Sequence, residues 1–156
     1  MNQRSLAFGV LAVWAAGWSA LTTSAAPETA IITGNRANLR ATPAVSAEVV
    51  GTLNKGQTVT VLEQIPVPNP PADEPSSWAK VRLPASVKVW VFAAFVDPKS
   101  GKVTARDLKV RSGQGRNFAA VGELHQGDLV IPVRTVDGWM QIEPPADAVA
   151  YVAGNL

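Results

Sequence analysis

The residues able to do acid–base or metal chemistry are few and scattered. His125 is the single histidine, it stands in the polar turn Leu124–Gly127, and the chain holds no cysteine. Thiolate zinc sites and cysteine nucleophiles are therefore excluded, and a second histidine for a metal site is missing. A serine–histidine–aspartate triad is assembled in space, so spacing leaves it open, but the turn setting favours an ordinary surface histidine. We expect no metal, no cofactor and no catalytic residue.

Two further patterns imitate catalytic motifs. Asp73 and Glu74 are adjacent carboxylates, the residue type that glycosidases use, but Pro71 and Pro75 flank them and favour a solvated loop. The segment Ser112–Arg116 (SGQGR) imitates a phosphate loop, yet it lacks the Lys-Ser/Thr ending and a following helix. Neither pattern indicates an active site, and we predict that the protein is not an enzyme.

Aromatic and basic side chains give the stronger indication of a binding surface. Basic residues cluster between Arg106 and Arg116, and Trp139 follows a turn and alternates with polar residues. Aromatic faces with arginine donors suit an extended peptide or a glycan–peptide polymer. Core packing is the alternative for every ring, and it is favoured for Trp90 and Phe95. The candidate groove residues are Arg111, Arg116, Phe118, Trp139, Tyr151, Arg40 and Trp78.

The charge balance argues against a nucleic-acid partner. The formal net charge is +2, and removal of Arg4 with a signal peptide leaves 13 of the 14 basic side chains against 12 acidic ones. No run of Lys or Arg forms a stripe, so the electrostatic footprint of a nucleic-acid surface is missing.

The N-terminus has the pattern of a secretory signal. Arg4 precedes the apolar run Leu6–Leu21, which is short for a bilayer span, and small residues follow it. Pro27 disfavours cleavage after Ala26, so cleavage after Ser24 or Ala25 is expected, with an uncleaved anchor as the alternative. This predicts a periplasmic or secreted protein with no stable membrane span after cleavage. The predicted segments are a signal peptide at 1–25 and a short linker at 26–30.

The remainder of the chain is an internal repeat. The sequence from Ile32 recurs 71 positions further on, from Val103, and the offset later falls to 61. The matched pairs are Thr33 and Thr104, Leu39 and Val110, Arg40 and Arg111, Gly51 and Gly122, Leu53 and Leu124, Gly56 and Gly127, and Val59 and Val130, then Trp78 and Trp139, Val81 and Ile142, Trp90 and Tyr151, and Phe95 and Leu156.

An insertion in the first copy explains the change of offset. It is ten residues long and lies within residues 64–77, where proline is frequent. Its segment Pro68–Pro71 (PNPP) has a PxxP spacing, which fits a stiff extended loop or recognition by the neighbouring module.

Each copy has the pattern of short β-strands. Apolar runs are bounded by Gly, Pro, Asn or Asp at the spacing of small barrels. Gly56 and Gly127 stand where tight turns take positive φ, and Val136–Trp139 contains an Asp-Gly hairpin signal. Pro132 falls inside a strand and lacks a ladder donor, which predicts an edge strand or a bulge. The sequence predicts an all-β fold, and the alanines within Phe92–Phe95 are too few for more than a single helical turn.

The repeat resembles the bacterial SH3-like (SH3b) domain. That family's pattern is a V-T-A opening, an L-N-V-R-S-G segment, an apolar-G-x-L segment, a G-W-x-K-I strand and a closing G-W-V strand. The second copy carries Val103–Ala105 (VTA), Leu108–Gly113 (LKVRSG), Val121–Leu124 (VGEL) and Gly138–Ile142 (GWMQI), and the first keeps Asn38–Arg40 (NLR), Val50–Leu53 (VGTL) and Trp78–Val81 (WAKV). The first copy departs from the pattern at Arg40–Thr42 (RAT). The resemblance implies two tandem SH3-like β-barrels, at 31–98 and 99–156.

The resemblance also implies a function. Many relatives target wall hydrolases, so we predict a non-catalytic exported module that recognises peptidoglycan or a cell-wall peptide. The alternative is a periplasmic adaptor for an envelope enzyme or complex. The expected partner is a cell-wall polymer or an envelope protein.

Overall fold

The computed structural model describes residues 28–154, and the predicted signal peptide lies outside them. The described chain is all-β with a single short 3-10 turn, as the sequence predicts, and it forms two sheets without a closed barrel, consistent with an SH3-like β fold. The grouping into two tandem barrels and the boundaries at 31–98 and 99–156 stay predictions.

The strands are β1 (Glu28–Ile31), β2 (Arg36–Arg40), β3 (Val49–Asn54), β4 (Thr58–Pro66), β5 (Ser77–Arg82), β6 (Val89–Phe92), β7 (Asp107–Arg111), β8 (Ala120–His125), β9 (Pro132–Val136), β10 (Trp139–Ile142) and β11 (Val149–Ala153), and the 3-10 turn is Ala93–Phe95.

With the repeats divided at the predicted boundary, each one contributes its last strand to the sheet of the other. One sheet, sheet A, has the order β1-β4-β5-β11-β2-β3, and the other, sheet B, has the order β8-β7-β6-β10-β9. Strand β11 of the second repeat therefore lies between β5 and β2 of the first, and β6 of the first repeat lies between β7 and β10 of the second. Val149–Ala153 pairs with Trp78–Arg82 over five residues, and Val89–Phe92 pairs with Trp139–Ile142 over four.

The segments that lead into the exchanged strands cross each other. The Leu83 amide donates to the Ala148 carbonyl at 2.9 Å, and Lys88 Nζ lies 3.2 Å from Glu143 Oε1. Gly122 admits this crossing, because a Cβ there would stand 3.1 Å from the Cα of Ala148. These contacts thus join the two sheets at the point where the chain passes from one sheet to the other.

A second contact joins the repeats through one glutamate. Glu48 Oε2 accepts a hydrogen bond from the Ala119 amide at 3.1 Å, and Glu48 Oε1 accepts another from the Ser112 hydroxyl. Glu48 precedes β3 of the first repeat, whereas Ser112 and Ala119 belong to the loop between β7 and β8. A carboxylate that accepts from a neutral amide and a hydroxyl forms charge-assisted bonds, the stronger class of hydrogen bond.

The core follows the two-residue alternation of the strands. In β2 and in β7 the second and fourth residues are buried and the others are turned outward. Strand β6 departs from this alternation, because Val89, Trp90 and Val91 are all buried. A central strand covered on both faces is apolar throughout, and β6 lies between β7 and β10 in sheet B.

The turn predictions are confirmed. Gly56 and Gly127 have φ of 84° and 94°, and Asp137 and Gly138 have φ of 48° and 77°, which is the two-residue hairpin turn between β9 and β10. Pro132 begins the edge strand β9, whose register shifts opposite Gln141 and Ile142, so both predicted settings for this proline are present. The insertion lengthens the β4–β5 hairpin.

The link between the repeats is an ordered turn that Asp97 closes. Its carboxylate accepts hydrogen bonds from the Ser100 hydroxyl at 2.7 Å and from the Lys99 amide at 3.0 Å. These donors, the Ser100 hydroxyl first, lower the pKa of Asp97 below its ordinary value. Hydrogen bonds to the charged form stabilise it, which is the reason for this direction.

The turn should loosen only in acid. Because the folded-state pKa of Asp97 is lowered, its contribution to stability is complete above the ordinary carboxyl pKa of about 3.9 and is lost as the pH falls through the lowered value. We expect Asp97→Asn to abolish this local acid transition, read from the Lys99 and Ser100 amide resonances. Asp147→Asn, at an exposed carboxylate, is the matched control. A wild-type Asp97 that titrates at or above its ordinary pKa would contradict this assignment.

Candidate functional site

Groove B is an aromatic cleft on sheet B. Its volume is about 310 Å³. The Phe92 ring stands in the middle: its centroid lies 5.7 Å from Phe95 and 5.6 Å from Trp139, and both contacts are edge-on. The lining residues are Phe92, Phe95, Asp107, Leu108, Lys109, Arg111, Arg116 and Trp139.

Two repeats build this one cleft. Phe92 is the last residue of β6 and is the register partner of Trp139 in β10, so the two side chains stand on the same face of sheet B. Phe95 belongs to the 3-10 turn that follows β6, and it is 44% exposed. The first repeat thus supplies two rings of a groove whose charged residues come from the second.

The charges of groove B are mainly positive. Lys109, Arg111 and Arg116 line it against one carboxylate, Asp107. Lys109 is engaged with Glu123 at 2.9 Å, whereas Arg116 is exposed and forms no ion pair within 4.0 Å in the part of the chain that is described. An unpaired guanidinium beside exposed rings suits a ligand that carries a carboxylate on an apolar frame.

Phe118 supports the groove from outside. Its carbonyl accepts a hydrogen bond from Arg111 Nη1 at 2.8 Å, which directs this guanidinium. Its ring packs directly on Gly113, where an added Cβ would collide with the ring. Phe118 therefore holds the loop and Arg111 in position but does not line the cleft.

Groove A is the equivalent cleft on sheet A. Its volume is about 400 Å³. Val45 stands there in place of Arg116, and Ala153 in place of Phe92, so the aromatic and basic character of groove B is reduced. The lining residues are Arg36, Ala37, Asn38, Arg40, Val45, Ala72, Asp73, Glu74, Pro75, Trp78 and Ala153.

Five of the seven candidate residues line one of the two grooves. Arg111, Arg116 and Trp139 meet in groove B, and Phe118 lies beside it. Arg40 and Trp78 line groove A, where Trp78 is 2% exposed and packs beneath the cleft. Tyr151 is half-buried on β11 as the register partner of Arg40.

Two ring assignments have different outcomes. Trp90 is 7% exposed, so its predicted place in the core is confirmed, and the Arg134 guanidinium carbon lies 5.4 Å from its ring centre. The prediction of a core position for Phe95 is wrong, since this ring is exposed in groove B. Phe92 is missing from the candidate groove residues, because sequence order assigns it to the first repeat.

The described residues give little support for a histidine-based active site or a metal site. His125 is exposed, and its ring nitrogens lie 3.8 Å from Asp107 and 3.9 Å from Asp128. Over residues 28–154 no three histidine, cysteine or acidic side chains are grouped as a metal site would need. The same residues include no helix of the length and apolarity required to cross a membrane.

Part of the chain matches a known domain family. Residues 35–97 match the bacterial SH3 domain family. The chain is also 24% identical over 131 residues to the putative N-acetylmuramoyl-L-alanine amidase YrvJ of Bacillus subtilis (strain 168). That alignment covers 76% of this chain and 23% of the relative, so the chain spans less than a quarter of the relative's length. No solved structure matches.

Proposed function

We propose that the protein is an exported, non-catalytic module that binds peptidoglycan or a wall peptide in the bacterial envelope, and that groove B is its ligand site. One observation carries the proposal. Three partly open rings, Phe92, Phe95 and Trp139, stand beside the exposed and unpaired Arg116 in a single cleft of the described chain.

The chemistry of the wall polymer matches this cleft. Sugar rings and short apolar side chains pack on aromatic faces, and carboxylates of a peptide stem pair with guanidinium groups. A long polymer also presents many identical sites, so a shallow groove of modest affinity suffices for retention on its surface.

The comparisons support the same role. The bacterial SH3 domain is a binding type of domain, and the relative is named as a putative N-acetylmuramoyl-L-alanine amidase. This chain aligns with only 23% of that protein, which favours a binding part rather than the catalytic part. A signal peptide at 1–25, export to the periplasm or beyond, and a second SH3-like barrel in the second repeat belong to this proposal.

Sedimentation with purified sacculi tests the proposal. We expect the mature chain to pellet with sacculi, and Arg116→Ala to weaken retention about tenfold, as for a residue at the centre of a binding site. Arg82→Ala removes an exposed arginine of sheet A that lines neither groove and should bind as the wild type does. Equal retention of the two variants, or none for the wild type, would reject groove B as a wall site.

An adaptor role is the second candidate, and one surface favours it. Leu129, Ile131 and Val133, on and just before the edge strand β9, are 68%, 61% and 48% exposed. Exposed apolar residues close together at the edge of a sheet are typical of protein contacts. The adaptor role would be favoured if an envelope protein retained the mature chain, Ile131→Asp abolished that retention, and the chain did not bind sacculi.

A further inference from the structure

Groove A carries a charge pattern that groove B does not have. Arg36, Asn38 and Arg40 alternate along β2 and face outward, while the intervening Ala37 and Leu39 are buried. These three side chains form a polar row, in which neighbours are about 6.6 Å apart along the strand.

The opposite wall comes from the insertion. The β4–β5 hairpin continues through the pairing of Pro66 with Ser77 and a bond from the Val67 amide to the Ser76 carbonyl at 2.9 Å. Beyond it the Glu74 amide donates to the Pro71 carbonyl at 3.0 Å, which closes a turn. This turn carries Asp73 and Glu74 to the rim of groove A.

The two walls do not neutralise each other. Within residues 28–154, no ion pair of 4.0 Å or less joins Arg36 or Arg40 to Asp73 or Glu74. Arg40 instead donates from Nη1 to the Ala47 carbonyl at 2.7 Å. The remaining donors of both guanidinium groups and both carboxylates are therefore available to a ligand.

We propose that groove A is a second binding site, and that it takes a peptide carrying both a free ammonium group and a carboxylate. A purely anionic ligand meets two carboxylates there, and a purely cationic one meets two arginines. A ligand with both charges pairs with each wall in turn, and the small side chains of Val45 and Ala153 leave room for its backbone. The site is independent of the proposed wall binding by groove B.

Titration of the ¹⁵N-labelled mature chain with tetraalanine tests this site. We expect the free peptide to shift the amide resonances of Arg36–Arg40 and of residues 72–75. N-acetylated tetraalanine and tetraalanine amide each lack one charge and should bind up to about fivefold more weakly, the contribution of one exposed ion pair. Equal affinity for the free and capped peptides, or no shift at millimolar concentrations, would overturn the proposal.

Two variants test which wall of groove A binds the ammonium group of the peptide and which binds its carboxylate. The double variant Asp73→Asn with Glu74→Gln should bind free and N-acetylated tetraalanine equally, and Arg36→Gln should narrow the difference between the free peptide and the amide. Arg82→Gln makes the same change of charge outside both grooves and should leave tetraalanine binding unchanged. If Arg116→Gln alone weakens tetraalanine binding, the peptide lies in groove B and the assignment is wrong. Retention on sacculi by Arg116→Ala is a separate readout, so failure of either proposal is distinguishable from failure of the other.

Discussion

A chain ended after Asp147, and so lacking β11, should lose the folded structure of the first repeat, although the deleted residues belong to the second. Within residues 28–154, strand β11 is the only strand that joins β5 to β2 in sheet A. Its removal leaves β1-β4-β5 and β2-β3 as separate pieces. Ala150 and Val152, which are 0% and 3% exposed, are lost from the core at the same time. An isolated hairpin such as β2-β3 is at best marginally stable in water, so cooperative unfolding of sheet A should disappear.

The measurement needs a probe in the first repeat. We expect the amide resonances of Trp78, Ala79 and Lys80 in β5 to collapse to unfolded positions in the shortened chain. The matched control removes β1 (Glu28–Ile31), an edge strand of the same sheet that pairs only with β4. This control should fold with reduced stability. A native first repeat in the chain lacking β11 would mean that each repeat can close with its own last strand.

The strands themselves could be predicted from the sequence, but their exchange could not. The turn residues Gly56, Gly127 and Asp137–Gly138 mark where the chain reverses, and their φ values agree with that interpretation. The last strands, Val89–Phe92 and Val149–Ala153, occupy equivalent places in the repeat and are both largely apolar. Either strand can cover the core of either repeat. The periodicity therefore does not show whether each repeat is completed by its own last strand or by that of the other repeat. Only the folded structure shows the hydrogen bond between the two segments that precede these strands.

The candidate site could be predicted only where one repeat supplies it. Arg111, Arg116 and Trp139 lie in the second repeat and meet in one groove, as expected from their clustering. Phe92 and Phe95 reach the same groove through the exchanged strand, and nothing in their local sequence indicates this. The position of the acidic pair in the insertion is likewise invisible in the sequence, because only the folded hairpin brings it to the arginines of β2.

The two equivalent tryptophans should respond differently to substitution by alanine. Trp78→Ala should mainly lower stability, and Trp139→Ala should mainly weaken binding. Trp78 is 2% exposed, and its register partners are Ile65 in β4 and Ala153 in β11. Trp78→Ala removes a large buried ring and should lower the free energy of unfolding by about 3–5 kcal/mol. Thermal unfolding measures this loss.

Trp139 is only half-buried, and its ring makes an edge-on contact with Phe92. That contact contributes about 0.5–1.5 kcal/mol beyond the area that the ring buries, and the half-buried Trp139 buries less of its surface than Trp78 does. Trp139→Ala should therefore stay folded at room temperature while its retention on sacculi falls more than about tenfold, since exposed rings at the centre of a binding site contribute most of its affinity.

The reason for the difference between the two tryptophans lies in the insertion. The longer β4–β5 hairpin sets Ile65 beside Trp78, whereas β9 begins at Pro132 and pairs Trp139 with Val136 next to a two-residue turn. The long strand β4 therefore covers Trp78, whereas the corresponding strand β9 is shorter and covers less of Trp139. If Trp139→Ala unfolds as readily as Trp78→Ala, its ring belongs to the core and groove B loses its aromatic wall.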